Sequence, residues 1–162
     1  MSGKPVRRHM LSKRDLRALA SEASESLPGV EIPRGGVELV EYRDYSLYLL
    51  DGSPFLARVK GRLIPHLKWL LRNGVGGLPR LRVDPGATRA LARGADLMVP
   101  GIISVEGDFE EGSIVVVVDD RYNAPIAVGV ALMSSSEIRR RLEGERRGKA
   151  VKILHRPGDD IW

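Results

Sequence analysis

The first apolar positions of the chain recur at helical spacing. Leu16, Leu19 and Ala23 lie three to four positions apart, which places them on one side of a helix. Ser12 precedes them and Asp15 follows Ser12 by three positions, a variant of the capping box that begins many helices. The pattern predicts a first helix that starts after Ser12 and ends where the sequence reads LPGV.

The pattern then changes to the alternation typical of strands. Apolar and polar residues alternate through residues 37–49 around a turn at Arg43-Asp44, and this predicts a β-hairpin. Residues 53–59 (SPFLARV) are predicted as a third strand, which ends at Gly61. The predicted order so far is helix, hairpin, strand.

Leucines at helical spacing return in the segment GRLIPHLKWLLRNG, residues 61–74. They predict a second helix that ends at Gly74, with Pro65 in its first turn, where its missing amide hydrogen is not needed. The glycine-rich residues 74–77 follow a helix and lack the Lys-Ser/Thr of a phosphate-binding loop. We interpret them as a helix end and a linker.

Residues 84–94 (DPGATRALARG) carry the signals of a short helix. Asp84 suits the N-cap, Pro85 the first helical position and Gly94 the end. The rest of the chain is predicted as mainly β, with one more short helix behind a capping box at Ser134–Glu137. The predicted strands of this half are residues 102–105, 113–119, 125–133 and 149–155.

Two segments of this half have unusual apolar runs. The strand-like residues Leu97–Val99 lie between Gly94 and Pro100-Gly101, although proline and glycine weaken strands. We interpret these flanks as keeping a strand edge free of side chains, so that the backbone of another molecule can come near. The four valines of residues 115–118 are apolar on both faces, as expected of an interior strand.

Together these segments resemble the PUA domain, the RNA-binding module named after pseudouridine synthases and archaeosine transglycosylases. The similarity runs through VDPGATRALARGADLMVPGI, GSIVVVV, PIAVGVALMSSSEI and GKAVKILHRPGDDIW, in that order. It implies an α+β protein in which residues 79–162 form a PUA β-pseudo-barrel of about five or six strands. Residues 1–78 would then form a small N-terminal α/β (pre-PUA) domain.

The first half of the chain indicates which branch of the PUA-domain proteins the sequence resembles. IPHLKWLLRNG followed by LPRLRVDPGA, together with Ile161-Trp162, is similar to the MCT (malignant T-cell-amplified sequence) and ligatin branch of translation factors. That branch implies a non-catalytic protein that acts in translation and binds structured RNA, either tRNA or rRNA. It also implies two further partners, the small ribosomal subunit and a separate SUI1-domain protein.

The resemblance implies a groove for structured RNA between the loop after the short helix and the last strand. The implied loop positions are Gly94, Ala95, Asp96, Leu97, Met98, Pro100, Gly101 and Ile102, and the strand positions are Lys149, Val151 and Lys152. We interpret Leu97, Met98 and Ile102 as core residues rather than RNA contacts, because any barrel needs such side chains. Separately, the spacing of Arg89 and Arg93 puts both on one side of the helix, where we expect them to contact phosphate. Arg80 and Arg82 flank the same helix.

Composition argues against catalytic and metal chemistry. The chain has no cysteine, and its three histidines lie far apart in the sequence, so neither a metal nor another cofactor is predicted. The acidic pairs Asp119-Asp120 and Asp159-Asp160 lie beside turn-forming residues, and turn chemistry explains them. Residues 134–136 are serines without the surroundings of a nucleophile. We therefore expect a protein that is not an enzyme.

Charge and hydropathy suggest where the protein works. No apolar run has the roughly 18 residues of a membrane helix, and a cytoplasmic protein is expected.

Residues 1–78 contain 13 basic and 8 acidic residues, whereas residues 79–162 contain 13 of each. The 20 arginines against 6 lysines fit a thermophile or a GC-rich genome. The basic cluster within residues 139–149 is either a phosphate contact or a solvated helix face.

Aromatic content bears on the kind of RNA. At 5% of residues, aromatic side chains are too few for a platform that stacks single-stranded bases, and structured RNA is expected instead. Two alternatives stay open. The chain is an RNA-guide accessory module for a separate tRNA- or rRNA-modifying enzyme, or it is a protein-interaction adaptor without RNA binding, as the neutral second half allows.

Overall fold

A computed structural model describes residues 3–162 of the chain. Two compact units form: one contains the chain up to Gly77 together with Gly158–Trp162, and the other contains Leu78–Pro157. The predicted division into residues 1–78 and 79–162 differs at the final segment, which the structure groups with the first unit. No described helix is long and apolar enough to cross a membrane.

The first unit is a five-stranded sheet with two helices. Its elements are β1 (Arg7–Met10), α1 (Lys13–Ser26), β2 (Val37–Glu41), β3 (Tyr45–Leu50), β4 (Ser53–Val59), β5 (Arg62–Pro65) and α2 (Leu67–Asn73). The strands follow one another across the sheet in chain order, and each pairs antiparallel with the next. The predicted hairpin is β2–β3 and the predicted third strand is β4.

Helix α1 begins as the sequence predicts. The hydroxyl of Ser12 accepts a hydrogen bond from the Asp15 amide at 3.1 Å, which satisfies one of the free donors at the start of a helix. The predicted apolar face is the buried one, with Leu16, Leu19 and Ala23 inside. Capping and periodicity therefore agree for this element.

The start of α2 differs from the prediction. Pro65 ends β5, where it pairs with Leu56 of β4, and the helix begins only at Leu67. A proline is tolerated there because β5 is an edge strand and Pro65 is its last residue. His66 is the N-cap instead, since its Nδ1 accepts a hydrogen bond from the Lys68 amide at 3.0 Å.

The segment Gly158–Trp162 contacts the first unit through the same histidine. Because Nδ1 of His66 is an acceptor, Nε2 carries the hydrogen and donates to the Ile161 carbonyl at 2.7 Å. The Trp162 ring stacks against His66 with centroids 6.4 Å apart, and Lys68 Nζ lies 4.9 Å from the centre of that ring. One fully buried histidine thus holds both the start of α2 and this terminal segment.

The second unit is a curled six-stranded sheet, as the predicted pseudo-barrel requires. Its elements are β6 (Arg80–Val83), α3 (Pro85–Ala92), β7 (Leu97–Met98), β8 (Ile102–Glu106), β9 (Ile114–Asp119), β10 (Pro125–Ala131), α4 (Ser135–Glu143) and β11 (Lys149–His155). The order across the sheet is β7-β11-β10-β9-β6-β8. The pair β6–β9 is parallel, and the other pairs are antiparallel.

The valine run forms an interior strand, as predicted. β9 lies between β10 and β6. Val115 and Val117 join the core that includes Leu81, and the alternate residues Val116 and Val118 are also fully buried. The strand is therefore apolar on both faces because neither face meets water.

Candidate RNA-binding surface

Helix α3 presents two arginines to solvent. It begins as predicted, with the Asp84 carboxylate accepting a hydrogen bond from the Ala87 amide at 2.8 Å and Pro85 in its first turn. Arg89 and Arg93 lie one turn apart and are exposed. Neither side chain has an ion pair or a hydrogen bond with another residue of the described chain. Their charges are available to an anion.

The loop after α3 leaves its backbone uncovered. Gly94 has a φ of +101°, in the left-handed region that side chains rarely adopt. A Cβ at this position would lie 3.2 Å from Arg156 Nη1. Gly94 and its neighbour Ala95 are both exposed, so the loop offers main chain that no large side chain covers.

Asp96 ties this loop to the last strand. Its carboxylate accepts a hydrogen bond from the Ile153 amide at 2.9 Å. The same carboxylate lies 3.2 Å from Lys149 Nζ and 3.4 Å from Lys152 Nζ. The predicted loop and the predicted strand are therefore neighbours, and the two lysines flank the loop.

The surroundings of Asp96 keep it ionised. Burial alone would raise the pKa of this carboxyl, but the hydrogen bond from Ile153 and the charges of Lys149 and Lys152 outweigh burial. The pKa consequently lies below its usual value. An ionised Asp96 neutralises part of the lysine charge, so an incoming phosphate has to compete with it.

Strand β7 is an edge strand. It pairs with β11 on one side, with Met98 opposite Lys149 and Leu97 opposite Val151, and no described strand pairs with its other side. Only Leu97 and Met98 are in strand geometry, because a 3₁₀ turn at Val99–Gly101 follows. The prediction of a strand through Val99 is corrected: Pro100 has no amide hydrogen to extend the ladder.

The predicted site residues divide into exposed and buried groups. Met98 is 45% exposed and Pro100 is exposed, so both face solvent. Leu97, Ile102 and Val151 are at most 1% exposed and belong to the core. Their side chains cannot reach RNA, which favours the core interpretation for these three residues. The core interpretation is wrong for Met98, whose side chain is exposed.

Gly101 is explained by a contact that the sequence did not reveal. A Cβ placed on it would lie 2.5 Å from the Cβ of Ala87 in α3, closer than side chains approach. Gly101 is not among the residues with left-handed backbone, and its carbonyl accepts a hydrogen bond from the Asp84 amide at 2.9 Å. The glycine lets α3 pack closely on the turn. The idea that it keeps a strand edge clear for RNA has no support in this geometry.

The arginine cluster of α4 is matched by nearby acceptors. Arg139 pairs with Asp108 at 2.8 Å, Arg140 and Arg141 both pair with Glu137, and other members of the cluster bond to backbone carbonyls or Glu145. These contacts favour the solvated helix face over a phosphate site. Arg80, which precedes α3, also has an acidic neighbour, because its Nε lies 3.4 Å from the Glu106 carboxylate.

Arg156 is a neighbour of the site that sequence reasoning missed. It follows β11 directly, and its guanidinium lies beside Gly94. The position of a basic residue at the end of the last strand was a usable signal.

Family models match both units. The PUA domain model matches residues 79–156, and the model of a domain of unknown function, DUF1947, matches residues 7–73. A crystal structure of a PUA domain from Aeropyrum pernix, solved with tartrate, superposes with a TM-score of 0.81 at 31% identity. The match covers 96% of this chain and 89% of that one. The chain belongs to the PUA-domain proteins.

Individual relatives indicate to which branch of the PUA-domain proteins this chain is similar. An uncharacterised protein of Methanocaldococcus jannaschii is 37% identical over 96% of this chain and 95% of its own length. Translation machinery-associated protein 20 of Saccharomyces cerevisiae is 29% identical over 90% and 86%. The rabbit eukaryotic translation initiation factor 2D is 29% identical over 87% of this chain, which spans only 25% of that factor. The resemblance to the MCT and ligatin branch is confirmed.

Proposed function

We propose that this PUA-domain protein is a non-catalytic, cytoplasmic RNA-binding protein that acts in translation. It binds structured RNA, tRNA or rRNA, through a surface that we call the α3–β11 surface. This surface comprises the exposed residues Arg89, Arg93, Gly94, Ala95, Met98, Pro100, Lys149 and Lys152. Asp96 supports it from within, and Leu97, Gly101, Ile102 and Val151 contribute packing and backbone rather than side chains.

One observation carries the proposal. Arg89 and Arg93 have no partner within residues 3–162, whereas two exposed arginines of α4, Arg139 and Arg140, are paired. Unpaired arginines beside an uncovered glycine loop suit phosphate, because a guanidinium donates to two oxygens at once and the backbone can come close. Such contacts position RNA without reading its sequence.

The surface lacks the side chains that single strands require. Of the aromatic residues in the second unit, Phe109 is buried in the core and Tyr122 lies in the β9–β10 turn. None lies on the α3–β11 surface, so unstacked bases find no aromatic partner there. The surface can still recognise the shape of an RNA backbone and its 2′-hydroxyls, and this kind of recognition favours structured RNA.

The residues that could suggest catalysis make hydrogen bonds that stabilise turns and a helix end. Asp119 accepts hydrogen bonds from the Tyr122 and Ala124 amides, and Asp159 accepts them from the Ile161 and Trp162 amides. The hydroxyl of Ser134 caps α4 by accepting from the Glu137 amide at 3.2 Å. These contacts support a non-catalytic protein.

The relatives supply the process. Two of them are named for the translation machinery and for translation initiation, which supports a role in translation. The two further partners that we propose, the small ribosomal subunit and a separate SUI1-domain protein, rest on the resemblance to the MCT and ligatin branch. Arg89→Ala combined with Arg93→Ala tests the RNA contact. We expect the affinity for an RNA hairpin, measured by fluorescence anisotropy, to fall about tenfold or more.

The matched control is Arg139→Ala combined with Arg140→Ala, which also removes two exposed arginines, but ones that pair with Asp108 and Glu137. It should leave the affinity within about twofold. Equal losses in both variants would show that only net charge matters. No loss in the double variant would move the RNA site away from α3.

A further inference from the structure

A second surface of the protein lies in the first unit, along one edge of α1. A groove of about 340 Å³ runs between α1 and the loop of residues 28–36. Its floor is apolar and consists of Leu16 and Ala20 from the helix and Ile32 and Pro33 from the loop. We call it the α1 groove. Nothing in the proposed RNA contact uses it.

The rim of the α1 groove is cationic. Lys13, Arg17 and Arg34 line it, and no acidic residue does. All three are exposed, and none has an ion pair or side-chain hydrogen bond within the described chain. This differs from the neighbouring α1–sheet cleft, where Arg58 and Glu22 pair at 2.7 Å. Three positive charges without acidic neighbours in the groove, arranged around an apolar floor, favour a partner that carries both negative charges and apolar side chains.

The loop side of the groove also has free main-chain groups. The helix ends at Ser26 and β2 begins at Val37, and within the described chain no backbone hydrogen bond involves residues 31–35. A peptide lying along the loop could pair with these amides and carbonyls, as strand-like ligands do with an unpaired edge. A nucleic acid would satisfy the rim but not the apolar floor, since its phosphates gain nothing from Leu16 or Ile32.

We propose that the α1 groove binds a protein segment in which apolar side chains alternate with carboxylates. The apolar side chains fill the floor over Ala20, and the carboxylates meet Arg17, Arg34 and Lys13. The complementarity of charge around a small apolar pocket gives both orientation and affinity. The partner class is an acidic, unstructured segment of another protein.

The probe is a short acetylated and amidated peptide in which leucines alternate with glutamates, labelled with fluorescein and titrated with the full-length protein. Arg17→Glu combined with Arg34→Glu should weaken its binding about tenfold or more by turning attraction into repulsion. Ala20→Leu should weaken it without any change of charge, because the added carbons occupy the floor. Arg43→Glu combined with Arg72→Glu is the matched control: it makes the same change of net charge at two exposed arginines that lie outside the groove, and binding should change by less than about twofold.

Each other outcome overturns the proposal. If a peptide with serine in place of leucine binds equally well, the surface is only an electrostatic patch. If Arg17→Glu with Arg34→Glu abolishes RNA-hairpin binding but not peptide binding, the occupant is RNA. If the leucine–glutamate peptide does not bind at millimolar protein, the groove does not take this chemistry. Circular dichroism melts of every variant identify losses that come from unfolding.

Discussion

At the scale of single residues, the site depends on contacts that the sequence conceals. Gly101 lies against Ala87, fourteen positions earlier, and the reason for a glycine there is the close approach of α3. Asp96 lies against Ile153 and two lysines from the far end of the unit. Spacing along the chain cannot reveal either contact, because both arise from how distant segments pack.

Gly101→Ala should destabilise the protein by about 1–3 kcal/mol, the usual cost of overpacking a tight contact. In an Ala87→Gly background the same substitution should cost less, and urea unfolding of the four proteins measures the coupling. Gly35→Ala is the control, since a Cβ there meets nothing within 4 Å. Additive effects of the two substitutions would reject the contact as the cause.

Asp96→Asn should bind an RNA hairpin more tightly than the natural protein. The amide oxygen can still accept from the Ile153 amide, but the negative charge that offsets Lys149 and Lys152 is gone, so phosphate meets no competitor. We expect an increase of about two- to tenfold at low salt, by anisotropy. Weaker binding by a variant that melts normally would mean that Asp96 holds the lysines in a geometry that RNA needs.

Asp96 also makes stability depend on pH in a defined direction. Its pKa is lower in the folded than in the unfolded protein, so its contribution is complete above the unfolded value near pH 4 and is lost as pH falls toward the folded pKa. The free energy of unfolding of Asp96→Asn should therefore fall less steeply than that of the natural protein below about pH 4. Parallel pH profiles, measured by urea unfolding, would contradict this.

At the scale of elements, local signals predicted the structure where caps and periodicity were strong. The caps of α1, α3 and α4 at Ser12, Asp84 and Ser134 are all present, because a cap needs only its own neighbours. Local signals failed for β1, β6 and the start of α2. β1 and β6 are four residues each, too short to show alternation, and they form because long-range partners in a sheet accept them.

His66 links two elements of the first unit, and two variants separate its roles. His66→Asn keeps an N-cap acceptor for α2 but loses the hydrogen bond to Ile161, so it should cost about 1–3 kcal/mol through an unpaired carbonyl. In a chain shortened by residues 158–162 the same substitution should cost clearly less. Thermal and urea unfolding measure both. An equal cost in the two chains would assign the effect of His66 to helix capping and packing alone.

At the scale of the whole molecule, the family resemblance supplied what composition could not. Pattern and charge alone indicated a basic globular α+β protein and left its ligand open. The order of quoted segments identified the PUA unit, and it located the loop and last strand that the structure brings together through Asp96. The resemblance did not predict which side chains face inward. That division depends on the curl of the sheet, which buries Leu97 and Val151 while Met98 stays exposed.

The dependence of RNA affinity on salt tests how the molecule as a whole meets its ligand. Each phosphate neutralised releases counterions, so the logarithm of affinity should fall with the logarithm of salt by about 0.7–0.9 per contact. If Arg89, Arg93, Lys149 and Lys152 all contact phosphate, the slope is about −3, and Arg89→Ala with Arg93→Ala should reduce its magnitude by between about 1 and 2. A hairpin should bind more tightly than an unpaired strand of the same length, because the α3–β11 surface has no aromatic ring for free bases to stack on. A slope that the double variant leaves unchanged, or a preference for the unpaired strand, would place RNA recognition on a different face of the protein.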